Sequence, residues 1–169
     1  MQGKSAPRID RQIRSLVLVL NGRSIPTSGS CEGHVDRGSP APWIKVTPLG
    51  KTAQLRSGRE RRGNGNEVRH RILGYLKQFY RNRSVPKDVR IVIERARIGF
   101  WMHNGGSAYA SWRSYVKRNA ANVRRRQKAK ASKTNEKEQI CRSNKLPIYQ
   151  GEMKAFAAFL KQEVRESSA

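Results

Sequence analysis

Between residues 51 and 135 the chain carries 23 lysines and arginines against four acids. That stretch cannot fold as a continuous core, because an unpaired buried charge is strongly destabilising. Each helix or strand within it must keep its charges in water and gather its apolar residues on one side. The flanks are nearly balanced: residues 1–50 hold seven bases and three acids, and residues 136–169 hold six and five. The net charge of +24 is therefore concentrated in the middle of the chain. A polyanion is the natural partner of such a segment, since each neutralised phosphate releases counterions. Nucleic acid, RNA or DNA, is the commonest polyanion of this kind. The plain alternative is a generally solvated basic surface.

A chain of 169 residues suits one domain. An apolar fraction of 36% limits that domain to a small core, and three Trp, five Tyr and four Phe argue against full disorder. The longest apolar run, Leu16 to Leu20, is five residues. We therefore expect neither a membrane span nor a secretory leader. Two cysteines, Cys31 and Cys141, make no disulfide framework, and a reducing cytoplasm is the simplest compartment.

The apolar spacing predicts a helix from Ile9 to Leu20, stopped by Asn21-Gly22. A Gly/Pro/Ser-rich stretch follows, with a short strand running into Cys31. Trp43-Ile44-Lys45-Val46 alternates like a strand with one buried face. Asn66 is placed to cap a helix beginning at Glu67, which carries Val68, Ile72, Leu76 and Phe79 inward. Val89 to Glu94 reads as a strand, paired with Ile98 to Met102 across Arg95-Ala96-Arg97. Ser107 caps the next helix, with Tyr109, Trp112 and Val116 inward, running into the Arg124–Lys130 segment. Residues 132–144 are polar, and Leu146-Pro147 opens a last helix. The expected fold is α+β: about four mostly antiparallel strands, four or five helices and a basic helical extension. Residues 1–8 and 167–169 read as loose ends of a single domain over 9–166, with a basic polar segment at about 124–145.

Three places bear on chemistry. In Ser30-Cys31-Glu32-Gly33-His34, Cys31 and His34 stand three apart in a turn. A histidine beside a thiol favours the thiolate, so the pair can serve as nucleophile and base or as two metal ligands. A structural zinc site needs four such ligands, and Cys31, His34, His103 and Cys141 would use nearly all the chain offers. No metal site is assigned on that arithmetic, and these residues leave the cofactor open. Cys31 reads equally as a small buried residue beside a tight turn. His103-Asn104-Gly105-Gly106 joins a strand to a helix, so His103 and Asn104 are the polar groups to watch if the Gly-Gly turn is more than a turn. Arg113, Lys117, Arg118, Arg124, Arg125, Arg126, Lys128 and Lys130 lie along one helical segment, a distribution suited to phosphates rather than base edges. Trp101 and Trp112 are stacking groups if exposed and core if not. No zinc finger, homeodomain, RNA-recognition, Walker or Gly-x-Ser-x-Gly pattern is present.

Three stretches carry a resemblance: Ile25 to His34 with Pro40-Ala41-Pro42-Trp43; Ile98-Gly99-Phe100 through Gly105-Gly106 with Trp112-Arg113; and Leu146 to Gln150 with Glu152-Met153 and Phe156. Together they resemble a bacterial family of small uncharacterised proteins with a Ser-Cys-x-Gly-His loop, which brings no established activity. The loop alone is also similar to one in the wybutosine-synthesising tRNA methyltransferases of the third-step type, which use S-adenosylmethionine. Ser30, Cys31 and Gly33 match that loop, while Glu32 and His34 stand where it has Ser and Arg. This second resemblance implies an α+β sheet with the Cys loop at an edge, and tRNA as partner. The sequence thus supports a nucleic-acid-binding protein, with a small RNA-modifying enzyme centred on Cys31 and His34 as the alternative.

Overall fold

The computed structural model describes residues 9–36, 38–47, 61–126 and 136–166. Lys128 and Lys130 lie outside them, as do the two expected loose ends.

Helix α1 (Arg14–Gly22) buries Leu16, Val17 and Leu20, with Ile13 just ahead of it. The expected first turn at Ile9 is instead a tight turn in which the Ile13 amide donates to the Asp10 carbonyl at 3.3 Å. Strands β1 (Thr27–Cys31) and β2 (Trp43–Val46) follow. Helix α2 (Arg61–Phe79) begins six residues before Glu67, so Asn66 lies inside it rather than capping it. Strands β3 (Val92–Arg95) and β4 (Phe100–His103) precede α3 (Gly106–Arg126) and α4 (Glu136–Glu166). The four strands form one antiparallel sheet in the order β1-β2-β4-β3. With four helices around it, this is the α+β architecture expected from the spacing.

Three further boundaries differ from expectation. The β-branched run from Val89 enters the sheet only at Val92. The Val89 and Arg90 amides are already spent on the Pro86 carbonyl, and the Ile91 amide donates to the Tyr80 hydroxyl at 2.8 Å. The hairpin turn is Ala96 to Gly99, not Arg95 to Arg97. Gly99 closes it with φ of 72°, where any Cβ would run into the Val46 carbonyl on the neighbouring strand. Helix α3 starts at Gly106, which puts Ser107 in the first turn and leaves it no capping role.

The largest correction concerns α4. Pro147 does not open this helix; it sits inside 31 continuous residues. Its ring removes the amide that would bond the Ser143 carbonyl. Pro147 and Ser143 are both exposed, so the interruption lies on the solvent side of the helix, while Leu146 and Tyr149 anchor the inner side. Upstream, Glu136 and Glu138 favour the start of the helix through its dipole, and Glu138 pairs with Arg142 one turn on at 2.6 Å.

The register gives the sheet two unlike faces. Ile44, Val46, Phe100 and Met102 share one face and are buried against α1, α2 and α4, where Leu16, Leu20, Ile72, Phe156 and Leu160 complete the core. The opposite face bears Cys31, Trp43, Lys45, Trp101, His103 and Glu94. A small second cluster of Ala41, Tyr109 and Tyr149 packs there with Trp43 and Trp112, where the first turns of α3 meet α4.

Candidate nucleic-acid interface

On the polar face the side chains stand in two cross-strand rows. One row runs Cys31, Trp43, His103, Val92, and the next runs Gly29, Lys45, Trp101, Glu94. Trp43 meets Trp101 edge to face, with ring centroids 4.8 Å apart. The Arg113 guanidinium lies 4.7 Å from the Trp101 ring centre and the Lys45 ammonium 5.6 Å from it. Both are attracted by the ring quadrupole. Trp101 is half-buried, and Trp112 packs near Tyr109, so neither belongs to the main core.

Helix α3 brings its own cations to this face. Arg113 and Lys117, one turn apart, both reach Glu94, at 3.4 and 3.9 Å. Lys117 is exposed, and Arg113 is held between Glu94 and Trp101. The 21 residues of α3 contain six lysines and arginines and no acid. Arg118, Arg124, Arg125 and Arg126 belong to its later turns. Lys45, Trp43 and Glu94 were not singled out from the sequence. Lys45 was legible in principle, as the outward position of an alternating strand; Glu94 was not, because its role depends on which helix crosses it.

Another basic surface lies between α2 and β3. An open depression of about 450 Å³ is lined by Arg81, Asn82, Arg83, Ser84, Val85 and Arg90. Arg83 stacks on Phe79 and pairs with Glu152 at 2.7 Å, and Arg90 stacks on Tyr80.

The four residues considered for catalysis fall into two separate places. Cys31 and His103 share a row but have Trp43 between them, about two strand spacings, or ~10 Å. His103 is buried, stacked on Tyr109 at 3.8 Å, with Nε2 3.5 Å from Glu94. Burial pushes its pKa below the ordinary 6.5, against the opposing pull of the Asn104 carbonyl and Glu94, so the ring is neutral at pH 7. Asn104 is fully buried and donates to the Val89 and Tyr149 carbonyls at 3.2 and 2.9 Å. It ties the β3 approach to α4, which is a structural task. Cys31 lies instead with His34 and with Asp10, a residue the sequence did not single out. Burial pushes the Cys31 thiol up, a Gly33 amide works the other way, and Asp10 and Glu32 add to the rise. The thiol is therefore protonated at neutral pH and is not an activated nucleophile.

Family models, curated proteins and solved structures contain no match to this chain. What it does must be read from its geometry. Among the described residues, no helix is long and apolar enough to cross a membrane.

The buried imidazole makes stability depend on pH. Because the folded pKa lies below the unfolded 6.5, the unfolded chain binds more protons in mild acid. The contribution of neutral His103 is whole above that value and is lost as the pH falls toward the folded pKa. Melting temperature should therefore drop as the pH is lowered from about 7.5 to about 5.5. His103→Gln should flatten that dependence, and a variant with an unchanged pH slope would exclude His103 as its source.

Proposed function

We propose that this protein binds nucleic acid, RNA in preference to DNA, mainly through phosphate contacts made by α3 and the adjoining polar sheet face. The observation that carries this reading is the acid-free run of cations along α3, starting at a sheet face that also bears Lys45. Glu94 holds Arg113 and Lys117 in place and is one charge against the helix's six. Phosphate oxygens are the complement of such a surface, and contacts of this kind carry no sequence information. The preference for RNA rests on the aromatic groups beside the cations. Unpaired bases in RNA loops offer faces that stack on aromatic rings and arginine planes. Free thiols at Cys31 and Cys141 suit a reducing compartment such as the cytoplasm. The alternative of a Cys31 nucleophile draws no support from a thiol that burial keeps protonated.

All three tryptophans, Trp43, Trp101 and Trp112, lie at or beside this face. Intrinsic fluorescence therefore reports on it directly. Titration with a structured RNA should change the emission in a saturable way, with weaker binding as salt rises. Lys117→Glu, an exposed change, should weaken binding and lower the salt slope by about one unit. Saturable binding measured by another method, with silent tryptophans and an unaffected Lys117→Glu variant, would place the interface elsewhere.

A further inference from the structure

The end of β1, the turn after it and the approach to α1 bring three different donors together. One carboxylate oxygen of Asp10, the Cys31 sulfur and a ring nitrogen of His34 all lie within 4.8 Å of one another. Each residue is half-buried. From this geometry we infer that Asp10, Cys31 and His34 form a three-ligand site for a divalent, borderline-soft metal ion, of which Zn²⁺ is the natural occupant.

The donor set is the first reason. A thiolate, an imidazole and a carboxylate are together the ligands zinc takes, whereas calcium and magnesium prefer oxygen alone. Separation is the second. With zinc at ordinary bond lengths, tetrahedral donors stand roughly 3.3–3.7 Å apart. Donors within 4.8 Å reach that spacing by small side-chain rotations. The third is that the backbone around them is already fixed. The Glu32 amide donates to Asp10 Oδ2 at 3.2 Å, which leaves the carboxylate a second oxygen for the metal. The Glu32 carboxylate accepts from the Gln12 amide, and its carbonyl accepts from Gln150 on α4. Gly33 takes φ of 82° with Leu146 and Ala41 against it, so the turn admits no side chain, and the His34 amide is held by the Ser39 carbonyl at 2.8 Å. The Gly33 amide also points at the Cys31 sulfur at 3.4 Å, the kind of outer contact that steadies a metal-bound thiolate. The local field is the last reason. In a chain of net charge +24, Asp10 and Glu32 nevertheless set negative charge beside this sulfur.

Binding replaces the Cys31 S–H bond with a metal–sulfur bond and releases one proton to solvent, with no change of oxidation state. Among the described residues no other His, Cys, Asp or Glu joins the group, so the fourth position stays open to water or an exchangeable ligand. His103 and Cys141, the other ligands weighed from the sequence, are not part of it.

The test uses the full chain, stripped with a chelator and kept reduced, and titrated with Co²⁺ and then Zn²⁺. Expected is one Co²⁺ per chain with a near-ultraviolet thiolate charge-transfer band that Zn²⁺ removes. The band should vanish in Cys31→Ser and persist in Cys141→Ser. Affinity should fall more than about tenfold in His34→Ala and in Asp10→Asn, since even outer contacts cost that much. A measurement on the unaltered chain guards against variants that fail to fold: Zn²⁺ should slow alkylation of Cys31 at least about tenfold and leave Cys141 unaffected. Absence of a thiolate band, a band carried by Cys141, or alkylation of Cys31 indifferent to Zn²⁺ would overturn the assignment.

Discussion

Replacing Arg124, Arg125 and Arg126 together by glutamate should ease the salt dependence of RNA binding by roughly two to three units in the slope of log K against log salt. Each neutralised phosphate contributes a little under one unit, so the change in slope measures how many phosphates the three arginines neutralise. Because the effect is electrostatic, affinity at about 0.1 M salt should fall on the order of a hundredfold, and about equally for unrelated RNA sequences. The domain itself should stay folded, because these arginines follow the turns of α3 that pack on the sheet; Tyr109 is the helix's buried anchor. The experiment is a salt titration of wild type and variant against structured RNA, single-stranded DNA and duplex DNA. Equal affinities and slopes for the two proteins would remove α3 from the interface. A comparable weakening should then be sought at the depression lined by Arg81, Arg83 and Arg90.

Phe156→Ala should be the most damaging single change to stability. Phe156 has no exposed surface and packs on Phe79 and Phe159, with centroids 5.2 and 6.2 Å away. It stands where α2 and α4 close over the buried sheet face. Truncation of a buried Phe costs ~3–5 kcal/mol through reduced burial and the cavity left behind. In a domain of this size that lowers the melting temperature on the order of 10 °C. Against a total stability of about 5–15 kcal/mol the effect is severe. Phe156→Leu should recover most of it. The pair is read by thermal and denaturant unfolding, and an alanine variant with wild-type stability would mean that α4 does not close this core. RNA affinity measured well below the melting temperature should hardly change, because Phe156 lies on the other side of the sheet from α3.

Local pattern and local chemistry explain what was readable before the fold was known. Apolar spacing located α1 and the inner face of α2, and the alternation in Trp43–Val46 located β2. Strand and helix boundaries were less legible because they hang on where single amides are spent. The Tyr80 hydroxyl takes the Ile91 amide and so shortens β3, and a residue eleven positions away leaves no periodic trace. Pro147 misleads for a related reason. Its cost depends on which side of the helix faces water, and that is set by packing at Leu146 and Tyr149.

The same division holds for the candidate sites. By itself the sequence determined the placement of charge: a middle segment of 23 bases and four acids must keep its charged side chains in water and turn its apolar ones inward, whatever the fold. It also determined that Cys31 and His34 are neighbours, since they stand three positions apart on one turn with a glycine between them. Only the tertiary structure decided what those groups face. Antiparallel pairing set Trp43, Lys45, Trp101 and Glu94 on one surface and laid Arg113 and Lys117 across it. Chain reversal through β1 brought Asp10 to Cys31 and His34 from 21 and 24 positions away, while burial beneath Tyr109 made His103 a neutral stacking partner. Spacing along the chain encodes neighbours within a turn or two; contacts across a sheet depend on register, which is settled only when one of its faces is buried against the helices.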